Sequence, residues 1–141
     1  MNVTELHPEF LAALARQFGF LGAFLGGVSA TLFVTLLTLA KPSNLVRWSI
    51  GLAAVAACAF IVTAYMSVGV IANSHPMRPE QMAETPLVLP RLIMTVSFLL
   101  GTVSLLGAIG ASGWSRSRLL GIITTTAALL AAVPLLIDVV Q

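Results

Sequence analysis

Charged residues are absent from four long stretches of the chain, and these stretches define its predicted elements. The uncharged stretches are residues 17–40, 48–77, 92–115 and 119–137. A helix needs about 20 predominantly apolar residues to cross the hydrocarbon core of a bilayer. Bounded by the flanking turn residues, the stretches predict spans at about 17–40, 48–72, 92–113 and 119–139. The predicted fold is therefore an all-α membrane protein with a bundle of four transmembrane helices.

The first sixteen residues predict an amphipathic segment that leads into the first span. Pro8 suits the first turn of a helix. Three apolar side chains then share one narrow face: Phe10, Leu11 and Leu14. Such a segment is typical of helices that lie in the membrane interface. We therefore expect a short N-terminal interfacial helix within residues 1–16, followed by the transmembrane domain in residues 17–141.

The composition agrees with a membrane protein and excludes several other classes. Hydrophobic residues make up 58% of the chain, charged residues only 9%, and the mean hydropathy is +1.02. An ordinary soluble domain has about 25% charged residues. The net charge of +2 arises from residues scattered at the span boundaries, which form no basic patch for nucleic acid. The single cysteine, Cys58, allows no internal disulfide. The four uncharged stretches of span length exclude a soluble enzyme, a nucleic-acid-binding domain and a secreted disulfide scaffold.

Basic residues are distributed unequally between the two ends of the predicted bundle. The short turns near 41–47 and 113–118 contain four basic residues and no acid: Lys41, Arg47, Arg116 and Arg118. The opposite end contains the other three basic residues and all five acids. Short loops rich in Lys and Arg favour the cytoplasmic side. We therefore predict a multi-pass protein of the plasma (inner) membrane, with both termini and the middle loop on the non-cytoplasmic side.

Small residues recur along one side of the first span. Two adjacent series with a four-residue spacing are Gly22, Gly26, Ala30 and Ala23, Gly27, Thr31. Small side chains let two helix backbones approach closely in lipid, which provides no hydrophobic drive for association. We interpret the first series, together with Gly27, as helix-packing residues. The alternative is a backbone-lined path for a small solute, and the spacing does not distinguish a partner helix of the same chain from one of another copy.

Hydroxyl side chains lie near the predicted mid-membrane level of several spans. The candidates for a polar path are Ser29, Thr31, Thr102 and Ser104. The alternative is that each hydroxyl donates to a carbonyl one turn earlier on its own helix. No acid, base or histidine lies at mid-depth in any predicted span. Proton-coupled and metal transporters usually bind their ion through such a group, so the pattern argues against both mechanisms.

The ionisable residues outside the spans form no recognisable catalytic or metal-binding set. His7 and His75 lie outside the predicted spans, whereas a membrane haem needs axial ligands inside the bundle. Two histidines so placed cannot complete a Ser-His-Asp or HExxH arrangement. We therefore predict that the protein is not an enzyme and has neither a cofactor nor a metal.

Two opposite charges approach the same predicted interface. Arg91 begins the third span and Asp138 ends the fourth, so an even number of crossings separates them. They are a candidate interhelical ion pair. The alternative is that each side chain extends separately to the lipid headgroups.

A set of residues in the first, third and fourth spans resembles a known channel family. These are Arg16 followed by Gly22-Ala23-Phe24, then Ser97-Phe98-Leu99-Leu100-Gly101-Thr102 with Trp114, and finally Val133-Pro134. The set is similar to that of Orai-type calcium channels, four-span chains that assemble around their first helices. The resemblance implies an oligomeric channel lined by the first span. The selectivity glutamate of that family falls near Thr31 here, so calcium selectivity is not implied, and the predicted outward termini differ from that family's orientation.

Two functional classes follow from these patterns. The first is a non-enzymatic, oligomerising or accessory subunit of a membrane complex, which docks through its small-residue faces. The second is a small oligomeric channel formed by several copies around the first span. We favour the first class because no ionisable group lies at mid-depth. The expected partners are the lipid bilayer and either another copy or a different membrane protein, with no nucleic acid.

Overall fold

The computed structural model describes residues 8–39, 43–74, 88–114 and 117–140, and within them the side chains of 9–38, 43–74, 88–114 and 117–130. Four helices make up almost all of these residues. They are α1 (Pro8–Leu39), α2 (Asn44–Asn73), α3 (Val88–Trp114) and α4 (Arg118–Val140). Each helix includes most of one uncharged stretch, and no strand occurs in the part of the chain that the structure describes. The predicted all-α class is therefore confirmed.

Serine side chains cap two of the helices just outside the apolar stretches. The backbone N–H of Val46 donates to Ser43 Oγ at 3.2 Å, and that of Leu120 donates to Ser117 Oγ at 3.1 Å. Such caps satisfy N–H groups that the first helical turn leaves without partners. Because the cap lies before the first apolar residues, α2 begins about one turn earlier than the predicted span.

Three of the four helices are long and apolar enough to cross a membrane. They are Glu9–Thr38 within α1, together with all of α2 and all of α3. The part of α4 with described side chains, Arg118–Leu130, is apolar but shorter than a span requires. The structure thus supports three of the predicted spans, and the fourth belongs to the proposal made below.

The described part of the predicted interfacial segment, residues 8–16, is continuous with the helix of the first span, and its position in the membrane interface stays a prediction. Within the described residues, α1 continues without interruption from Pro8 to Leu39, across the expected boundary at residue 16. No proline or glycine lies between Pro8 and Gly19 to break it. Ala15 is fully buried in a cluster with Val70 of α2 and Met94 of α3. The end of this segment therefore packs on neighbouring helices as an extension of α1, while residues 1–7 lie outside the described residues.

Helix α2 is the central element of the fold. Helices α1 and α3 each pack along it, and α4 packs against α3. Helices α1 and α3 have few mutual contacts, and no extensive contact joins α4 to α1 or α2 among the described residues. The arrangement is therefore more open than the bundle that the sequence predicts, because α2 occupies the position between α1 and α3.

An aromatic cluster connects the first three helices. Phe60 of α2 is fully buried, and the centroid of its ring lies 5.9 Å from the ring centroid of Phe98 on α3. The Phe98 ring also packs edge to face on Phe18 of α1, with 4.9 Å between the two ring centroids. Gly101 makes room for Phe60, because an added Cβ there would lie 2.9 Å from the Phe60 ring. These contacts fix how α1 packs along α2. The side of α1 that faces away from α2 remains exposed.

Candidate functional site

One side of α1 packs closely on α2, and we call it the inner stripe: Gly19, Gly22, Gly26 and Ser29. A Cβ added at Gly22 would lie 3.1 Å from the Phe60 carbonyl oxygen, and one at Gly26 would lie 3.4 Å from Phe60 Cβ. One at Gly19 would clash with Ser67 Oγ. Two of the glycines that the sequence marks for helix packing, Gly22 and Gly26, therefore lie against a helix of their own chain.

The other small residues of α1 point away from α2, and we call this surface the outer face: Ala23, Gly27, Thr31 and Thr35. All four are exposed, and a Cβ added at Gly27 would meet no atom within 4 Å. Ala30 is exposed beside them. Phe24, Val28 and Leu32 also line the shallow groove along this face, which has a volume of about 700 Å³.

The two series of small residues thus face different directions, although the sequence suggests that they form one broad packing face. Successive residues on a helix are turned by about 100°, so a series shifted by one position faces a different direction. Helix α2 covers Gly22 and Gly26 of the first series but leaves its third member, Ala30, exposed. The series that contains Gly27 remains uncovered by the described residues of this chain.

The hydroxyls predicted to line a polar path do not share one direction. Ser29 is fully buried and donates to the Leu25 carbonyl at 2.8 Å, whereas Thr31 is exposed and donates to the Gly27 carbonyl at 2.9 Å. On α3, Thr102 donates to the Phe98 carbonyl at 2.8 Å, and Ser104 is buried. Three of the four side chains therefore bond back to their own helix, which is the alternative considered for them.

Arg91 lies in the first turns of α3 and is half-buried. Its Nε atom is buried and has no hydrogen-bond partner among the described residues. Asp138, its predicted partner, belongs to α4, but its side chain lies outside those described. The ion pair therefore stays a prediction. In such a pair, the Asp138 carboxylate would accept a hydrogen bond from Arg91 Nε.

No group of three metal-ligating side chains occurs within the ranges that the structure describes. His7 and His75 both lie outside those ranges. Cys58 is exposed on α2, and no other cysteine occurs in the chain. The predicted lack of an enzyme activity, a cofactor and a metal stays a prediction.

A polar contact between α3 and α4 is not evident from the sequence. The indole Nε1–H of Trp114 donates to Thr125 Oγ1 at 3.0 Å, and the indole ring covers Gly121. In the sequence, Trp114 follows the third predicted span, a position typical of an interfacial anchor. Three consecutive threonines, 124–126, offered the same chemistry, so spacing alone did not identify the acceptor.

Comparison with known proteins identified no relative of this chain. No family model matches the sequence, no curated protein matches it, and no solved structure matches the fold.

Proposed function

We propose that the protein is a non-enzymatic subunit that docks within the membrane through the outer face of α1. The occupant of this face is a transmembrane helix, supplied by another copy of the chain or by a different membrane protein. The protein would then act by association, either as an oligomer or as an accessory subunit of a larger complex. The observation that carries the proposal is the exposure of Gly27 within a continuous series of small residues.

The physical reason lies in how helices associate in lipid. Large apolar side chains interact with lipid tails as well as with protein, whereas small residues favour close approach of two backbones. Phe24 and Val28 flank the outer face and would contact the sides of an inserted helix. Thr31 and Thr35 donate to carbonyls of α1, at 2.9 and 2.8 Å. Their hydroxyls therefore need no water, and the face tolerates burial against another helix.

The proposal includes four membrane crossings. Helix α4 has 23 residues, and a helix of that length extends over about 34 Å, enough for a hydrocarbon core of about 30 Å. No charge occurs from Leu119 to Ile137. With four crossings, the turns near 41–47 and 113–118 lie on the same side, and their basic residues favour the cytoplasm. The plasma (inner) membrane is the location that we infer.

Replacement of Gly27 by Leu tests the docking directly. The chain would be solubilised from its membrane in mild detergent, and the protein mass of the particle would be measured after subtraction of detergent. The protein mass of the wild-type particle should exceed the monomer mass of 14.8 kDa. The particle of the Gly27→Leu variant should have the monomer mass. Gly51→Leu is the matched control, because Gly51 is also an exposed helical glycine with no atom within 4 Å of an added Cβ.

Two results would contradict the proposal. One is a wild-type particle that contains a single copy and no other protein. The other is an assembly that Gly27→Leu and Gly51→Leu leave equally intact.

A second candidate function is an oligomeric channel in which the outer face of several copies lines a path. The observation in its favour is the series of exposed threonines Thr31, Thr35 and Thr38 on α1. The resemblance to Orai-type channels points to the same helix. Flux of ions and small uncharged solutes across liposomes that contain the purified oligomer would favour the channel. Sealed liposomes with the same oligomer would favour the accessory subunit.

A further inference from the structure

Two arginines and two tryptophans lie at the same end of the helices: Arg47, Trp48, Trp114 and Arg118. We call this group the Arg–Trp end. Leu52, near the start of α2, contacts Gly107 of α3, and Gly113 of α3 lies against Leu120 near the start of α4. The starts of α2 and α4 therefore meet the end of α3.

All four side chains are exposed. Trp48 retains 72% of its accessible surface and Trp114 retains 46%. Arg47 and Arg118 are exposed as well. An exposed indole on a membrane-spanning helix is typical of the headgroup region, where its apolar ring and its N–H both find suitable surroundings.

The charge at this end is of one sign. The sequence contains no Asp or Glu in residues 10–79 or 85–137, which include every residue that builds the Arg–Trp end. The sequence has two further cations, Lys41 and Arg116, close to Arg47 and Arg118 along the chain, and both lie outside the described residues. The opposite end differs, because Glu9 accompanies Arg16 on α1.

We propose that the Arg–Trp end binds the phosphate groups of anionic phospholipids in one leaflet of the membrane. Arginine forms paired hydrogen bonds with phosphate oxygens, and basic residues beside a span attract anionic headgroups. The four side chains come from three helices and lie at the membrane boundary next to lipid-facing indoles. That placement suits a layer of headgroups better than a single acidic protein segment. The inference is independent of helix docking at the outer face of α1.

The two tryptophans provide the measurement, since the chain has no others. The purified protein would be placed in vesicles of equal parts phosphatidylglycerol and phosphatidylcholine. Bromine atoms on the acyl chains of one lipid at a time would quench the fluorescence of indoles that this lipid contacts. The ratio of the two quenching efficiencies reports the local preference for the anionic lipid.

At low salt, the brominated phosphatidylglycerol should quench more strongly than the brominated phosphatidylcholine. Arg47→Gln and Arg118→Gln should each lower the preference, by up to about fivefold. High salt should lower it in the wild type, because exposed charges are then screened. Arg16→Gln, at the opposite end, is the matched control and should leave the ratio unchanged.

Equal quenching by the two lipids in the wild type at low salt would overturn the proposal. A preference that both arginine variants leave unchanged would overturn it too. The salt titration uses the wild type alone, so it decides the question even where a variant loses helical circular dichroism.

Discussion

Gly113 sets how closely α3 and α4 approach. A Cβ at this position would lie 2.9 Å from the Leu120 carbonyl oxygen and would clash with Thr124 Oγ1. Because the carbonyl belongs to the backbone, the whole start of α4 must move to relieve the contact. We expect Gly113→Ala to destabilise the fold by about 1–3 kcal/mol, the usual effect of overpacking.

Gly110 provides the control for this prediction, since it lies one turn earlier on the same face. An added Cβ there would lie 3.8 Å from Thr125 Oγ1, an ordinary contact distance. Gly110→Ala should therefore be neutral or stabilising, because alanine favours the helix over glycine by about 1 kcal/mol. Thermal unfolding in detergent measures both variants, and equal losses would mean that the α3–α4 contact is wrongly described.

The Trp114–Thr125 hydrogen bond should contribute measurably to the docking of α4. Trp114→Phe keeps an aromatic ring over Gly121 but removes the donor, and Thr125→Val removes the acceptor. Each variant should lower the free energy of unfolding by about 0.5–1.5 kcal/mol, and the double variant by less than the sum. Thr126→Val is the control, because Thr126 is exposed and bonds to the Ile122 carbonyl of its own helix. Strictly additive losses would rule out the bond.

At the scale of the elements, Arg91 and Asp138 test how the other ends of α3 and α4 meet. The buried Arg91 Nε needs an acceptor, and Asp138 is a carboxylate on the helix that packs beside α3. Arg91→Ala and Asp138→Ala should each destabilise the protein, with a coupling of about 0.5–3 kcal/mol in the double variant. The charge-exchanged double variant should recover part of the loss. Independent contributions in this double-mutant cycle would leave both residues as separate interface anchors.

The positions of the helices could be predicted from the sequence, because the cost of burying charge in lipid confines charged residues to the span boundaries. The uncharged stretch 48–77 thus identified α2, although only the Ser43 cap sets its first turn. The sequence alone does not show that residues 8–16 continue the helix of the first span, because their narrow apolar face also suits an interfacial helix.

The division of the small-residue series on α1 could not be predicted either. The spacing shows that Gly22 and Gly27 suit close packing, but it does not show which of them meets α2. That choice depends on contacts with distant residues such as Phe60 and Ser67. The outer face is therefore defined by the tertiary structure and not by a motif.

At the scale of the whole molecule, the proposed crossings predict which connections share a side of the membrane. Single cysteines at Ser43, Ser74 and Ser117, in a Cys58→Ala background, would be treated with an impermeant thiol reagent in intact cells. The cysteines at Ser43 and Ser117 should be protected, and the one at Ser74 should react. The reverse pattern would invert the predicted orientation, and different behaviour at Ser43 and Ser117 would contradict the crossing of α2 and α3.

The most direct test of helix docking by the outer face of α1 is photo-crosslinking in the native membrane. In one variant, a diazirine-bearing amino acid would replace Val28, at the edge of the outer face. In a second variant of the same chain, it would replace Ile61, an exposed residue of α2. The probe at Val28 should form adducts of discrete protein mass, which Gly27→Leu abolishes, while the probe at Ile61 should label lipid. Lipid adducts alone from both positions would contradict the account.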